Sequence, residues 1–101
     1  MPPRHTSLPV RLGAFHAADY LKDDADITAY VNLALEDGDP ALLLLVLGDV
    51  ARARGMTQVA EQSGLTREAL YNALRPTSRP QFATVAKVCQ ALGIKLVAQS
   101  V

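Results

Sequence analysis

Five polar side chains stand close together in the second half of the chain: Arg67, Glu68, Tyr71, Asn72 and Arg75. Arg67, Tyr71 and Arg75 recur every four residues, and Glu68 and Asn72 make a parallel row, so on a helix they share one face. Their chemistry suits the edges of base pairs. Arginine grips guanine through two hydrogen bonds, asparagine does the same with adenine, and tyrosine can stack or reach a phosphate. Glu68 fits less easily, because a carboxylate near phosphates is costly unless it accepts from cytosine or orients Arg67.

The flanks carry a second kind of chemistry. Gln58 precedes this face by one short helix and can hold a phosphate that orients it. Behind it runs "RPTSRP", where Arg75, Thr77, Ser78 and Arg79 stand just ahead of another helical pattern. Cations, hydroxyls and the free N–H groups at a helix start are all phosphate ligands.

Such a face needs elements that hold it outward. The stretch "GMTQVAEQSGLTREALYNAL" predicts two short helices over about 57–74. Two steeply crossed helices demand a small residue where they touch and a glycine at the turn, and Ala60 and Gly64 supply them. Thr57 is expected to cap the first helix and Thr66 the second. Leu65, Ala69, Leu70, Ala73 and Leu74 are expected to point inward. The same letters also fit a plain helical hairpin whose polar face is merely solvated.

The remaining pattern is helical almost throughout. A short helix is expected near residues 15–21, and Ile27, Tyr30, Val31, Ala34 and Leu35 mark one face of another over 26–36, with Asp24 or Asp26 at its positive end. In "EDGDP", Gly38 can end that helix, Asp39 can cap the next and Pro40 fits its first turn. That next helix runs to about Arg54, with Arg52 and Arg54 in its negative last turn and Gly55 past its end. Leu43, Val46, Leu47 and Val50 are expected in its core face, leaving Leu42 and Leu45 spare for an oligomer or partner contact. A last stripe, Phe82, Val85, Ala86, Val88, Cys89 and Leu92, closes at Gly93. Beyond it Ile94, Leu96 and Ala98 alternate with Lys95, Val97 and Gln99, which suits a short edge strand or a tail packed on the core. The expected fold is therefore all-α, five to six short helices in one domain over 14–101, with a possible short C-terminal β-strand. Residues 1–13, with three prolines, read as a flexible N-terminal arm.

Charge divides the chain. Residues 1–50 hold three basic and eight acidic side chains, a net of −5, and residues 51–101 hold seven and two, a net of +5. Such polarity hints at a nucleic-acid face on one half and a different partner on the other.

Catalysis finds little support. His5 lies in the arm, His16 has no second histidine at metal spacing, there is no glycine-rich phosphate loop, and Asp23, Asp24 and Asp26 read as an acidic loop. No cofactor and no metal are expected. Cys89 is the sole cysteine, which excludes an internal disulfide and suits a small buried hydrophobe. The opening "MPPRHTSLPVRL" lacks the continuous apolar core of a secretory signal, and the longest apolar run, 41–47, falls far short of the roughly 20 residues of a membrane span. The expectation is a soluble, cytoplasmic protein.

Over residues 15–97 the chain closely resembles the addiction-module antidote proteins, HigA-like antitoxins of the lambda-repressor-like helix-turn-helix class. "ALEDGDP", "ARARGMTQ", "GLTREALY" and the F-x-T-V-x-K-V pattern from Phe82 carry the resemblance. It implies an antitoxin that binds a RelE/HigB-like ribonuclease toxin and, on operator DNA, represses their shared operon. It places the recognition role on Arg67, Glu68, Tyr71 and Asn72 with Gln58 in support, and marks no toxin-contact positions. Because RelE-like toxins are generally basic, the acidic half is expected to meet the toxin and the basic half the operator. One such helix covers only a few base pairs, so a homodimer on two half-sites is expected. A free-standing regulator of phage-repressor type, without a toxin, is the alternative.

Overall fold

The computed structural model describes residues 21–101. The N-terminal arm and the short helix expected near residues 15–21 lie outside the described residues except for Leu21, which is not helical and is buried. Within them the chain forms five helices and no strand: α1 (Asp24–Asp37), α2 (Pro40–Arg54), α3 (Met56–Ser63), α4 (Arg67–Ala73) and α5 (Phe82–Ala91). None of them is long and apolar enough to cross a membrane.

Local chemistry sets most of the boundaries. Asp23 caps α1 by accepting from the Asp26 amide at 2.9 Å, and the Asp26 carboxylate accepts from the Lys22 amide, one residue before the cap, at 3.2 Å. With Asp24 these carboxylates put negative charge on the helix's positive end. Gly38, at φ 83°, ends α1 in the left-handed region that favours glycine. One residue later Asp39 starts α2, accepting from the Ala41 amide at 3.0 Å, with Pro40 as its first residue.

The core is built chiefly from the two long helices, which pack on each other, closed by α3 and α5. α1 contributes Ile27, Tyr30, Val31 and Ala34. Leu35 is not part of this face: it is 44% exposed, because one step beyond Ala34 turns it about 100° away. In α2 the expected division also shifts. Leu42 and Leu44 are buried with Val46, Leu47, Val50 and Ala51, while Leu43 and Leu45 are half-buried. Being covered on more than one side, this helix has no single apolar stripe to read.

Two further expectations change. Thr57 is an exposed residue inside α3 and caps nothing, since the chain reverses at Gly55 (φ 105°) and the helix begins immediately at Met56. The tail over 94–101 forms no strand, as the described residues offer it no strand partner. Instead the Ile94 amide donates to the Cys89 carbonyl at 2.9 Å and that of Gly93 to Gln90 at 3.0 Å, closing α5 with Ile94 laid partly on the core.

Candidate nucleic-acid interface

α4 has only seven residues, too few to be stable alone, so its position comes from its ends and its anchors. Thr66 caps it, accepting from the Ala69 amide at 3.0 Å as expected. Leu70 is fully buried and Leu74, just past the helix, nearly so, whereas Leu65 and Ala73 are half-buried. Ala69, expected inside, is exposed: two leucines suffice to seat so short a helix, and Ala69 falls on its flank.

α3 packs on α2, α4 and α5 and is the support beneath this edge. Its last turn ends at Gly64 with φ 77°, where the Leu65 amide donates to the Ala60 carbonyl at 3.1 Å. A Cβ at Gly64 would meet nothing within 4 Å, so the demand for glycine is purely conformational. Ala60 is buried, and beside it the Ser63 hydroxyl donates to the Ala60 carbonyl at 3.1 Å. Glycine and small residue thus sit where the sequence places them.

With Leu70 turned inward, Arg67, Glu68, Tyr71 and Asn72 are all exposed. They divide between two flanks of α4. Arg67 and Tyr71 border a cleft of about 590 Å³ shared with Gln58 and Glu61 of α3 and Arg52 of α2. Asn72 faces the other way, onto a shallow groove with Ser78, Arg79 and Thr84. Glu68 lines neither. Arg75 stands near Tyr71 and Arg52 at the far end of the helix, and Thr77 and Arg79 are exposed on the connection to α5. Ser78 is half-buried and donates its hydroxyl proton to the Ala73 carbonyl at 2.7 Å, closing the end of α4. It keeps only acceptor lone pairs, while Thr66 keeps its proton.

Arg52 is the residue that sequence reasoning missed at this place. Its guanidinium carbon lies 5.7 Å from the Tyr71 ring centroid, a cation–π distance. Its Nη1 donates to Asp49 Oδ1 at 3.2 Å, and Asp49 Oδ2 accepts from the hydroxyl of the buried Tyr30 at 2.9 Å. A polar chain therefore runs from α1 through α2 to α4. Burial pushes the Asp49 carboxyl above its ordinary range, against the opposing pull of the Tyr30 hydroxyl and the Arg52 charge. A Cβ at Gly48 would stand 3.4 Å from Arg52 Nη1 and 3.7 Å from the Leu74 carbonyl oxygen, a measure of how closely the end of α4 lies on α2. The Asp49–Arg52 spacing was a visible signal of a pair on one helix; the approach of Tyr71 was not.

Elsewhere, Arg54 pairs with Asp24 across a cleft of about 480 Å³ between the start of α1 and the end of α2. Burial pushes the Cys89 thiol up, in keeping with a small core residue. Among the described residues no group of His, Cys, Asp or Glu is arranged to hold a metal ion.

The fold and the site together define a small all-helical domain with an open edge carrying Arg52, Arg67, Tyr71 and Arg75. Residues 11–100 match the family model of the probable addiction module antidote proteins, and the chain belongs to that family. It is similar to a protein of Haemophilus influenzae described only as an uncharacterized protein, 43% identical over 89 residues that cover 88% of this chain and 92% of that one. No solved structure matches it.

Proposed function

We propose that the chain is the antitoxin of a type II toxin–antitoxin module. In this reading α3 and α4 form a helix-turn-helix of lambda-repressor type that holds α4 in the major groove of operator DNA. The chain then represses its own operon as a homodimer and neutralises a RelE/HigB-like ribonuclease toxin by direct binding. The observation that carries the DNA reading is the placement of Arg67 and Tyr71 on an exposed edge beside Gln58 and Arg52, anchored from below by Leu70. Arg67 and Tyr71 stay exposed there, although Arg52 is tied to Asp49 and lies over the Tyr71 ring.

The contacts divide by chemistry. Arg67, Glu68 and Asn72 read base edges, Tyr71 stacks or reaches a phosphate, and Gln58, Thr66, Arg75, Thr77 and Arg79 hold the backbone. Ser78 contributes by shaping the connection. Arg67→Ala is expected to cost about 1–3 kcal/mol and relax specificity at one base position, whereas Arg79→Ala weakens all sequences alike and lowers the salt dependence. A salt-titrated binding assay on the upstream DNA checks both. Unchanged binding in both variants rejects the helix assignment.

Membership of the antidote family supports a toxin partner in general. The net −5 of residues 1–50 suits a basic, RNA-handling toxin, with the acidic side chains from Asp19 to Asp39 meeting it. Co-purification with the product of the adjacent gene is the test. A chain that binds DNA and captures no such product is a free-standing regulator instead.

A further inference from the structure

Arg52 is held more firmly than a surface cation needs to be, and the proposed contacts give it no task. It stands on α2, not on α4, with its side chain 51% exposed. Its Nη1 donates to Asp49 Oδ1 at 3.2 Å, its guanidinium carbon lies 5.7 Å from the Tyr71 ring centroid, and a Cβ at Gly48 would stand 3.4 Å from Nη1. The guanidinium is thus seated by a carboxylate, a ring and the bare backbone of α2. The carboxylate is fixed in turn. The Asp49 side chain is only 16% exposed, and its Oδ2 accepts at 2.9 Å from the hydroxyl of Tyr30, which has no exposed surface. Withdrawing Asp49 from water is costly, as its raised titration shows, while an ion pair to a half-exposed arginine returns little stability. Stability alone does not account for the seat.

What the seat leaves over is a fixed cation with donors to spare. A guanidinium has five N–H donors in a rigid fork, and among the described residues Arg52 engages one of them. The side chain borders the cleft that Arg67 and Gln58 also wall. Two guanidinium groups share that opening with one carboxylate, Glu61, which forms an ion pair with neither. Like charges on one open cleft repel each other until an anion stands between them. An oxyanion with several acceptor oxygens, such as a phosphodiester, fits two such forks.

We propose that Arg52 is a phosphate-binding residue of the DNA edge, set in place before DNA arrives by Asp49 and Tyr71, and that the buried Tyr30 hydroxyl is a positioning group that acts on DNA affinity through Asp49. This inference rests on the DNA reading and extends it from α4 and its flanks to α2 and α1. An arginine immobilised in advance loses less freedom when it binds. Because Arg52 stands beside the reading helix and not on it, its partner is the sugar–phosphate strand, and its contribution is alike for every base sequence.

The test is a salt-titrated binding assay of the full chain on its upstream DNA and on an unrelated duplex of equal length, for wild type, Arg52→Met, Arg52→Lys and Tyr30→Phe. Methionine and lysine keep the apolar stem of Arg52 and phenylalanine keeps the ring of Tyr30, so wild-type helical circular dichroism is expected throughout. Arg52→Met is expected to weaken binding to both duplexes by about tenfold, and to reduce the slope of log K against log salt by about 0.9, the share of one phosphate contact. Arg52→Lys keeps the charge and loses the fork, so its slope is expected to match wild type and its affinity to fall in between. Tyr30→Phe changes no charge, and a loss of about threefold to tenfold at unchanged slope is expected. A merely structural Arg52 would lower affinity without moving the slope, and that result in Arg52→Met overturns the phosphate role. Wild-type affinity in Tyr30→Phe overturns the role given to its hydroxyl. If wild type binds its upstream DNA and Arg52→Met equals it in affinity and slope, the inference falls and the DNA reading stands; if wild type binds neither duplex, both fall.

Discussion

The two halves of this molecule are stabilised differently. α1 and α2, of 14 and 15 residues, are capped by aspartates, meet along their length and supply most of the large buried side chains. α3 and α4, of eight and seven residues, bury four side chains within their spans: Val59, Ala60, Ser63 and, in α4, Leu70 alone, with Leu74 just beyond. The long pair could lose one contact and persist. The short pair cannot, because helices of that length exist only through what they pack on. The polar edge therefore sits on the less redundant half, and a change too small to unfold the domain can still displace it.

Leu70→Ala is the sharpest way to break that contrast. It empties a fully buried site, with an expected cost of about 2–5 kcal/mol in urea or thermal unfolding and loss of the α4 edge with it. A loss well under that range would mean that α4 is held by something other than its one interior leucine. Capping offers a matched comparison. Asp39→Ala and Thr66→Ala remove the same kind of hydrogen bond, each worth about 1 kcal/mol, from a long and a short helix. Similar shifts in unfolding midpoint are expected. DNA affinity, measured on the folded proteins, is expected to fall only for Thr66→Ala.

The smallest effect sharpens the link between the halves. In the folded protein Asp49 titrates above its ordinary value because it is partly buried. A raised carboxyl holds its proton better when folded than when unfolded, so its contribution is greatest at acid pH and is lost as pH rises through the raised value. Asp49→Asn cannot titrate and can still meet the Tyr30 hydroxyl. Its stability relative to wild type is expected to improve as pH rises from about 4, the ordinary aspartate value, toward neutrality. At neutral pH it also frees Arg52, and a change in Tyr71 fluorescence without a change in helix content would report that release.

Much of this organisation is written locally. Gly38, Asp39 and Pro40 act within a few residues of one another, as do Ala60, Gly64 and Thr66, and their short-range hydrogen bonds and dihedral demands are met where the letters stand. The exposure of Arg67, Glu68, Tyr71 and Asn72 follows from their spacing against Leu70 and Leu74. Where a judgement needed to know how many neighbours surround a helix, spacing alone was insufficient. Leu42 is covered and Leu35 is not, though the spacing puts Leu35 on an apolar stripe and Leu42 beside one. Thr57 had the right chemistry for a cap, but the turn came two residues earlier, at Gly55.

The sequence by itself determined the helices, their breaks and which side chains of α4 stay outside, because backbone hydrogen bonding and side-chain period act over three or four residues. Only the tertiary structure decided that Arg52 lies over Tyr71, that Asn72 faces away from Arg67's cleft, and that Phe82 borders an open groove. Those relations join residues far apart in the chain, and no local energy term carries the direction in which one helix meets another.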